Sequence, residues 1–104
     1  MEKYVYLNEL FDLYGELLTS KQQKYFKDYY FNNLSYGEIS LKYGVSRNAI
    51  YHQLQLIEKK LTFFEEKLNF FEEKLILYRK KQKINDIIGL IEDKKIKRII
   101  ENLF

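Results

Sequence analysis

Between Glu2 and Leu18 the apolar residues Leu7, Leu10, Phe11, Tyr14, Leu17 and Leu18 recur at steps of three and four, the stripe of an amphipathic helix. A second helix is predicted from Thr19, because Thr19 and Gln22 stand at capping-box spacing, where hydroxyl and amide each satisfy an otherwise unpaired backbone N–H. Tyr25, Phe26 and Tyr29 form its inward side. Asn32 and Asn33, which tolerate left-handed backbone, mark its end.

The same grammar repeats at once. Ser35 and Glu38 form a second capping-box pair, Ile39 with Leu41 or Tyr43 supplies the buried side of a short helix, and Gly44 takes the positive φ that ends it. Val45 plugs the turn and Ser46 caps the next helix. Ala49, Ile50 and Leu54 then face inward while Arg47, Asn48, Tyr51, His52 and Gln55 face outward. This is the pattern of a helix-turn-helix over about residues 35–60, whose outward set is what a second helix offers a major groove.

From Ser46 to about Lys83 no glycine, proline or cap interrupts. Apolar residues step by four and three through Ile50, Leu54, Ile57, Leu61, Phe64, Leu68, Phe71, Leu75 and Tyr78, which are a and d positions. One long helix over 46–83 is predicted. Its centre says nearly one phrase twice, "LTFFEEKLNFFEEKL", with Glu58, Glu65 and Glu72 on e and Lys60, Lys67, Lys74 and Lys81 on g. No glutamate of the repeat has a lysine three or four places away, so its partners belong on another helix. The expectation is a homodimer joined through Leu61, Phe64, Leu68, Phe71, Leu75 and Tyr78, leaning parallel because g then meets e. A second apolar row, Leu56, Phe63, Phe70 and Leu77, widens the stripe. The competing arrangement is a monomer whose other helices fold back over both rows. Ile84, Ile87, Ile88 and Ile91, then Ile96, Ile99, Ile100 and Leu103, predict two short C-terminal helices over 84–104 separated near Asp93.

Composition narrows the class. A chain of 104 residues with no proline and four glycines reads as one all-α domain, and the absence of cysteine removes disulfides and thiolate metal sites. Neither a signal peptide nor a membrane span is present in "MEKYVYLNEL", so a cytoplasmic protein without membrane insertion is expected. The net charge of +3 is mild. His52, the one histidine, has no triad or acid-base partner at a useful spacing, and no glycine-rich phosphate loop exists. No enzyme, cofactor, metal or small-molecule substrate is therefore expected.

From Leu17 to Leu61 the chain resembles the YlxM-like (p13-like) helix-turn-helix family of small bacterial proteins, and more distantly the promoter-reading fourth region of sigma factors. The likeness is carried by Leu18-Thr19 with Lys21-Gln22-Gln23, Tyr29-Tyr30, Leu34-Ser35 with Glu38-Ile39, Val45-Ser46-Arg47 with Ala49, and Glu58-Lys59. The resemblance implies a non-enzymatic regulator whose gene neighbours those of the signal recognition particle GTPase or its receptor, hence a link to protein targeting.

Two partner classes follow. For double-stranded DNA, Arg47, Asn48 and Gln55 carry the donors and acceptors that match base edges, with Tyr51, His52 and Ser46 beside them and Lys21, Lys24 and Lys42 for phosphates. A transcription regulator unrelated to targeting would use the same set. For a protein adaptor, or one binding the particle's RNA, the surplus aromatics Tyr4, Tyr6, Tyr30, Phe31, Tyr36 and Tyr51 suit an interaction surface.

Overall fold

The computed structural model describes residues 1–90 and 94–103, with side chains for all of these except 94–97. The described residues form six α-helices and no strand: α1 (Lys3–Tyr14), α2 (Ser20–Phe26), α3 (Tyr36–Tyr43), α4 (Arg47–Leu68), α5 (Phe70–Leu90) and α6 (Lys94–Asn102). A 3₁₀ turn at Gly15–Leu17 follows α1, and a π-helical turn at Lys27–Phe31 extends α2. The protein is all-α. Backbone contacts divide it into two compact units, Met1–Phe71 and Glu72–Phe104.

In the first unit α4 packs on α1, α2 and α3. Ile50, Leu54, Ile57 and Leu61 are buried beneath Leu7, Leu10, Tyr14, Phe26 and Ile39. The capping signals are met as the residues predict: Thr19 with Gln22 and Ser35 with Glu38 form reciprocal boxes, and Ser46 Oγ accepts from Ala49 N–H at 3.0 Å. Gly44 ends α3 at φ +67, and Asn33 turns the preceding loop at φ +55. Between Leu41 and Tyr43 the inward role falls to Tyr43, which is half-buried and whose ring meets Tyr25 edge-on at 5.0 Å. Leu41 is 86% exposed.

Asp28, on the π-helical turn, fastens that turn to α3. Its buried carboxylate accepts from Tyr43 Oη at 2.6 Å, from Lys42 Nζ at 3.0 Å and from Asn32 Nδ2 at 3.2 Å. Burial pushes the Asp28 carboxyl upward, and the bonds from Tyr43, Lys42 and Asn32 outweigh it, so its pKa lies below the ordinary value.

The long helix predicted over 46–83 is two helices. Asn69, at φ +57, ends α4 in the left-handed conformation, and α5 begins at Phe70. The reason is Glu65, which is buried inside its own chain and not set on a seam. Glu65 Oε1 accepts from Tyr14 Oη at 2.6 Å and from the unpaired Phe71 N–H at 3.0 Å, while Tyr14 Oη accepts from Phe70 N–H at 3.1 Å. A carboxylate on helix α4 thus caps helix α5, with a phenol from α1 completing the set. Burial and the bond to Glu65 push the Tyr14 phenol upward, which keeps it a donor. Glu58 likewise finds its cation within the chain, pairing with Lys3 at 2.8 Å. The helix that answers these glutamates is α1.

No boundary falls at Lys83, because α5 continues to Leu90. The expected separation near Asp93 and the inward placing of Ile91 lie outside the described residues, as does the side chain of Ile96. Among the described residues no helix is long and apolar enough to cross a membrane.

Two outcomes test this fold. Tyr14→Phe removes a bond to a buried carboxylate and strands the Phe70 N–H, so its urea midpoint should fall by the equivalent of about 1–3 kcal/mol. For Asp28, a folded pKa below the unfolded value of about 3.9 means stability that is present above that pH and lost as pH falls through the folded pKa. Asp28→Asn should be less stable at neutral pH by about 2 kcal/mol and show a flatter acid limb in pH-dependent thermal melts.

Candidate nucleic-acid interface

The helix-turn-helix geometry sets the outer side of α4's first two turns free of the core. Ser46 fixes where α4 starts, so the residues after it have defined directions. Arg47, Asn48, Tyr51 and His52 are exposed, whereas Gln55 is half-buried. Arg47, Asn48 and Tyr51 share a shallow notch with Tyr36, the first residue of α3. The Arg47 guanidinium rests against the first turn of α3, where a Cβ at position 37 would meet Nε at 3.6 Å, an ordinary van der Waals contact.

The flanks differ. Lys21 shares a second depression with Val45, Ala49 and Gln53 beside α4, its ammonium 5.9 Å from the Tyr25 ring centre. Lys24 is exposed and lines a third depression with Lys27, Asp28 and Lys42. Lys42 gives its charge to Asp28, an attachment that also raises its own pKa, so the phosphate contact expected of it competes with the bond that holds α3. Nothing in the one-dimensional pattern marked Asp28 as that partner, since it stands fourteen residues away.

Aromatic rings extend the notch across the unit. Tyr36 meets Tyr51 edge-on at 5.8 Å and stacks on Tyr29 at 5.1 Å, and Tyr4 of α1 joins Tyr29 through a 3.3 Å hydroxyl bond. Hydrogen bonding with Tyr36 and Tyr4, then burial, pushes the Tyr29 phenol far above its ordinary range. The Tyr29 phenol therefore stays neutral. Tyr36 belongs to the site through Arg47, and its place directly after the Ser35 cap was the signal available for it. Of the other surplus aromatics, Tyr6 packs on Phe71 at 5.5 Å, Tyr30 stacks on Phe26 at 4.4 Å, and Phe31 is partly exposed.

The six seam residues are dispersed by burial. Leu61 and Phe71 are buried in the first unit, Phe64 is half-buried beside Tyr14, and Leu75 is half-buried. Leu68 and Tyr78 are exposed.

Comparison with known proteins agrees with this geometry. A family model described as "Putative helix-turn-helix protein, YlxM / p13 like" matches residues 1–103. The chain is 40% identical over 104 residues to a UPF0122 protein of Bacillus velezensis, an alignment covering 99% of this chain and 94% of the relative. It is 46% identical over 61 residues to the UPF0122 protein YlxM of Bacillus subtilis, covering 59% of this chain and 56% of that protein. A UPF0122 protein of Shouchella clausii is 44% identical over 61 residues, with the same shares covered. With the matched model spanning both units, the chain belongs to the YlxM/p13-like helix-turn-helix family.

Proposed function

We propose that this protein is a nucleic-acid-binding regulator that presents the first two turns of α4 to the major groove of duplex DNA. The observation that carries the reading is the joint exposure of Arg47, Asn48, Tyr51 and His52 on a capped helix start held by α3. Arg47 can donate two bonds to a guanine edge and Asn48 can bridge an adenine, while Ser46 and Lys21 stand where the backbone would pass. Lys24 adds charge at the edge of this face, and Gln55 reaches it only from its half-buried position. Binding of this kind needs no cofactor and no catalysis.

Two finer readings are attached to it. One is that the regulator acts in the cytoplasm in the signal recognition particle pathway, a link suggested by the resemblance, with the GTPase, its receptor or the particle RNA as partner. The row Tyr4, Tyr29, Tyr36 and Tyr51 favours that reading, since tyrosine is enriched at recognition surfaces. The homodimer is the other. Of the seam predicted for it, Leu68 and Tyr78 are the positions left open to a second copy.

Arg47→Ala should leave the circular dichroism spectrum unchanged and weaken binding to a selected duplex by about 1–3 kcal/mol, read by fluorescence anisotropy. Equal affinity in both proteins would remove α4 as the reading helix. Leu68→Asp with Tyr78→Asp should convert a sedimenting dimer to monomer. A dimer that persists has its seam elsewhere.

A further inference from the structure

The formal charge of this chain is unevenly placed. Residues 1–71 contain nine basic and nine acidic side chains, residues 72–104 nine and six, so the whole surplus lies outside the helix-turn-helix unit. Within the first unit Lys42 and Lys3 are further committed to Asp28 and Glu58. A reading head without surplus charge releases few counterions on meeting a duplex, and its affinity at cellular salt is correspondingly low.

The densest cationic stretch with described side chains lies on α5, where Arg79, Lys80, Lys81 and Lys83 are all exposed. Cations at the end of a helix complement its dipole, and a helix ending near Lys83 would explain the run in that way. That explanation fails here. α5 continues to Leu90, about two turns further, where the dipole no longer rewards a cation at 79–83. No acidic residue stands three or four places from Arg79, Lys80 or Lys81; only Lys83 has one, Asp86. Arg79 with Lys83 and Lys80 with Lys83 are instead like charges at helical contact spacing, which weakens the helix that carries them. None of the four forms an ion pair among the described residues. Arg79, Lys80 and Lys83 fall within an arc of about 100°, and Lys80 and Lys81 border a groove with Leu77, Ile84 and Asn85. The charges are spread along more than a turn of helix, which matches a row of anions better than a single one.

We propose that Arg79, Lys80, Lys81 and Lys83 form a second nucleic-acid surface, one that grips the phosphodiester backbone without regard to sequence and supplies the affinity the neutral helix-turn-helix unit lacks. The proposal rests on the nucleic-acid reading above. Its ligand chemistry is a run of phosphodiesters, from duplex DNA or duplex RNA.

The test uses the full chain and a variant with all four residues changed to Gln, a good helix former, checked by circular dichroism. Anisotropy is measured on a mixed-sequence DNA duplex and the matching RNA duplex between about 50 and 200 mM salt, where each phosphate contact contributes about 0.9 to the slope of log affinity against log salt. The variant should bind at least tenfold more weakly at the lower salt, and its slope should fall by about three. Equal loss on both duplexes, or loss on the preferred one alone, supports the surface and identifies its source. Unchanged affinity and slope in a variant whose wild type binds overturns the α5 surface; Arg47→Ala then still reports on the recognition helix. Wild type that binds neither duplex overturns both. Binding to vesicles of about one-third phosphatidylglycerol, lost in the variant while duplex binding persists, overturns it in favour of a lipid surface.

Discussion

Helix α4 is core on one side and open on the other. Ile50, Leu54, Ile57 and Leu61 are its buried row, and α1, α2 and α3 are positioned by covering it. Because a helix presents its residues at about 100° steps, burying that row turns Arg47, Asn48, Tyr51 and His52 outward together. No separate device is needed to aim them. What does need a device is the start of the helix, since a shift by one residue would rotate the outward set; the Ser46 cap and the left-handed Gly44 before it supply that register.

Covering α4 from within the chain changes the meaning of the heptad repeat. The charge logic was legible: Glu58 and Glu65 have no lysine three or four places away on their own helix, and partners do lie on another one. Which helix answers was not legible, because periodicity describes one surface and not what faces it. Lys3 and the Tyr14 phenol on α1 take the place of a second chain's cations. The break at Asn69 was hidden for a similar reason. Asn69 occupies the position of Thr62 in the preceding copy of the repeat, and Thr62 is helical, bonding back to the Glu58 carbonyl at 3.0 Å. A nearly identical phrase thus has two backbone conformations. The difference is made by Tyr14, which bonds Glu65 at the end of the first copy and the Phe70 N–H near the start of the second, and by asparagine, whose left-handed form costs less than threonine's.

Local signals transferred well because they act within a few residues. Both capping boxes, the Ser46 cap and the turns at Asn33 and Gly44 are set by side chains bonding to backbone three places away or by a single φ. Asp28 is the contrasting case: a carboxylate between Lys27 and two tyrosines gives no hint that it will be buried, and its partners Lys42 and Tyr43 come from the next helix. The same contact occupies Lys42, one of the lysines the sequence offers for a phosphate.

The division of charge between the two units follows from these contacts and bears on how the family's helix-turn-helix is used here. In the reading proposed above, a surface made of Arg47, Asn48 and two tyrosine rings would discriminate by shape and by directional bonds, and such contacts are short-ranged. Long-range attraction scales with surplus charge, and in this chain that surplus belongs to residues 72–104. Specific bonds and non-specific grip respond differently to salt, and the proposed division between two helices would let each vary without disturbing the other. A neutral reading head also discriminates better, because charge bound to every phosphate alike strengthens wrong sites as much as right ones.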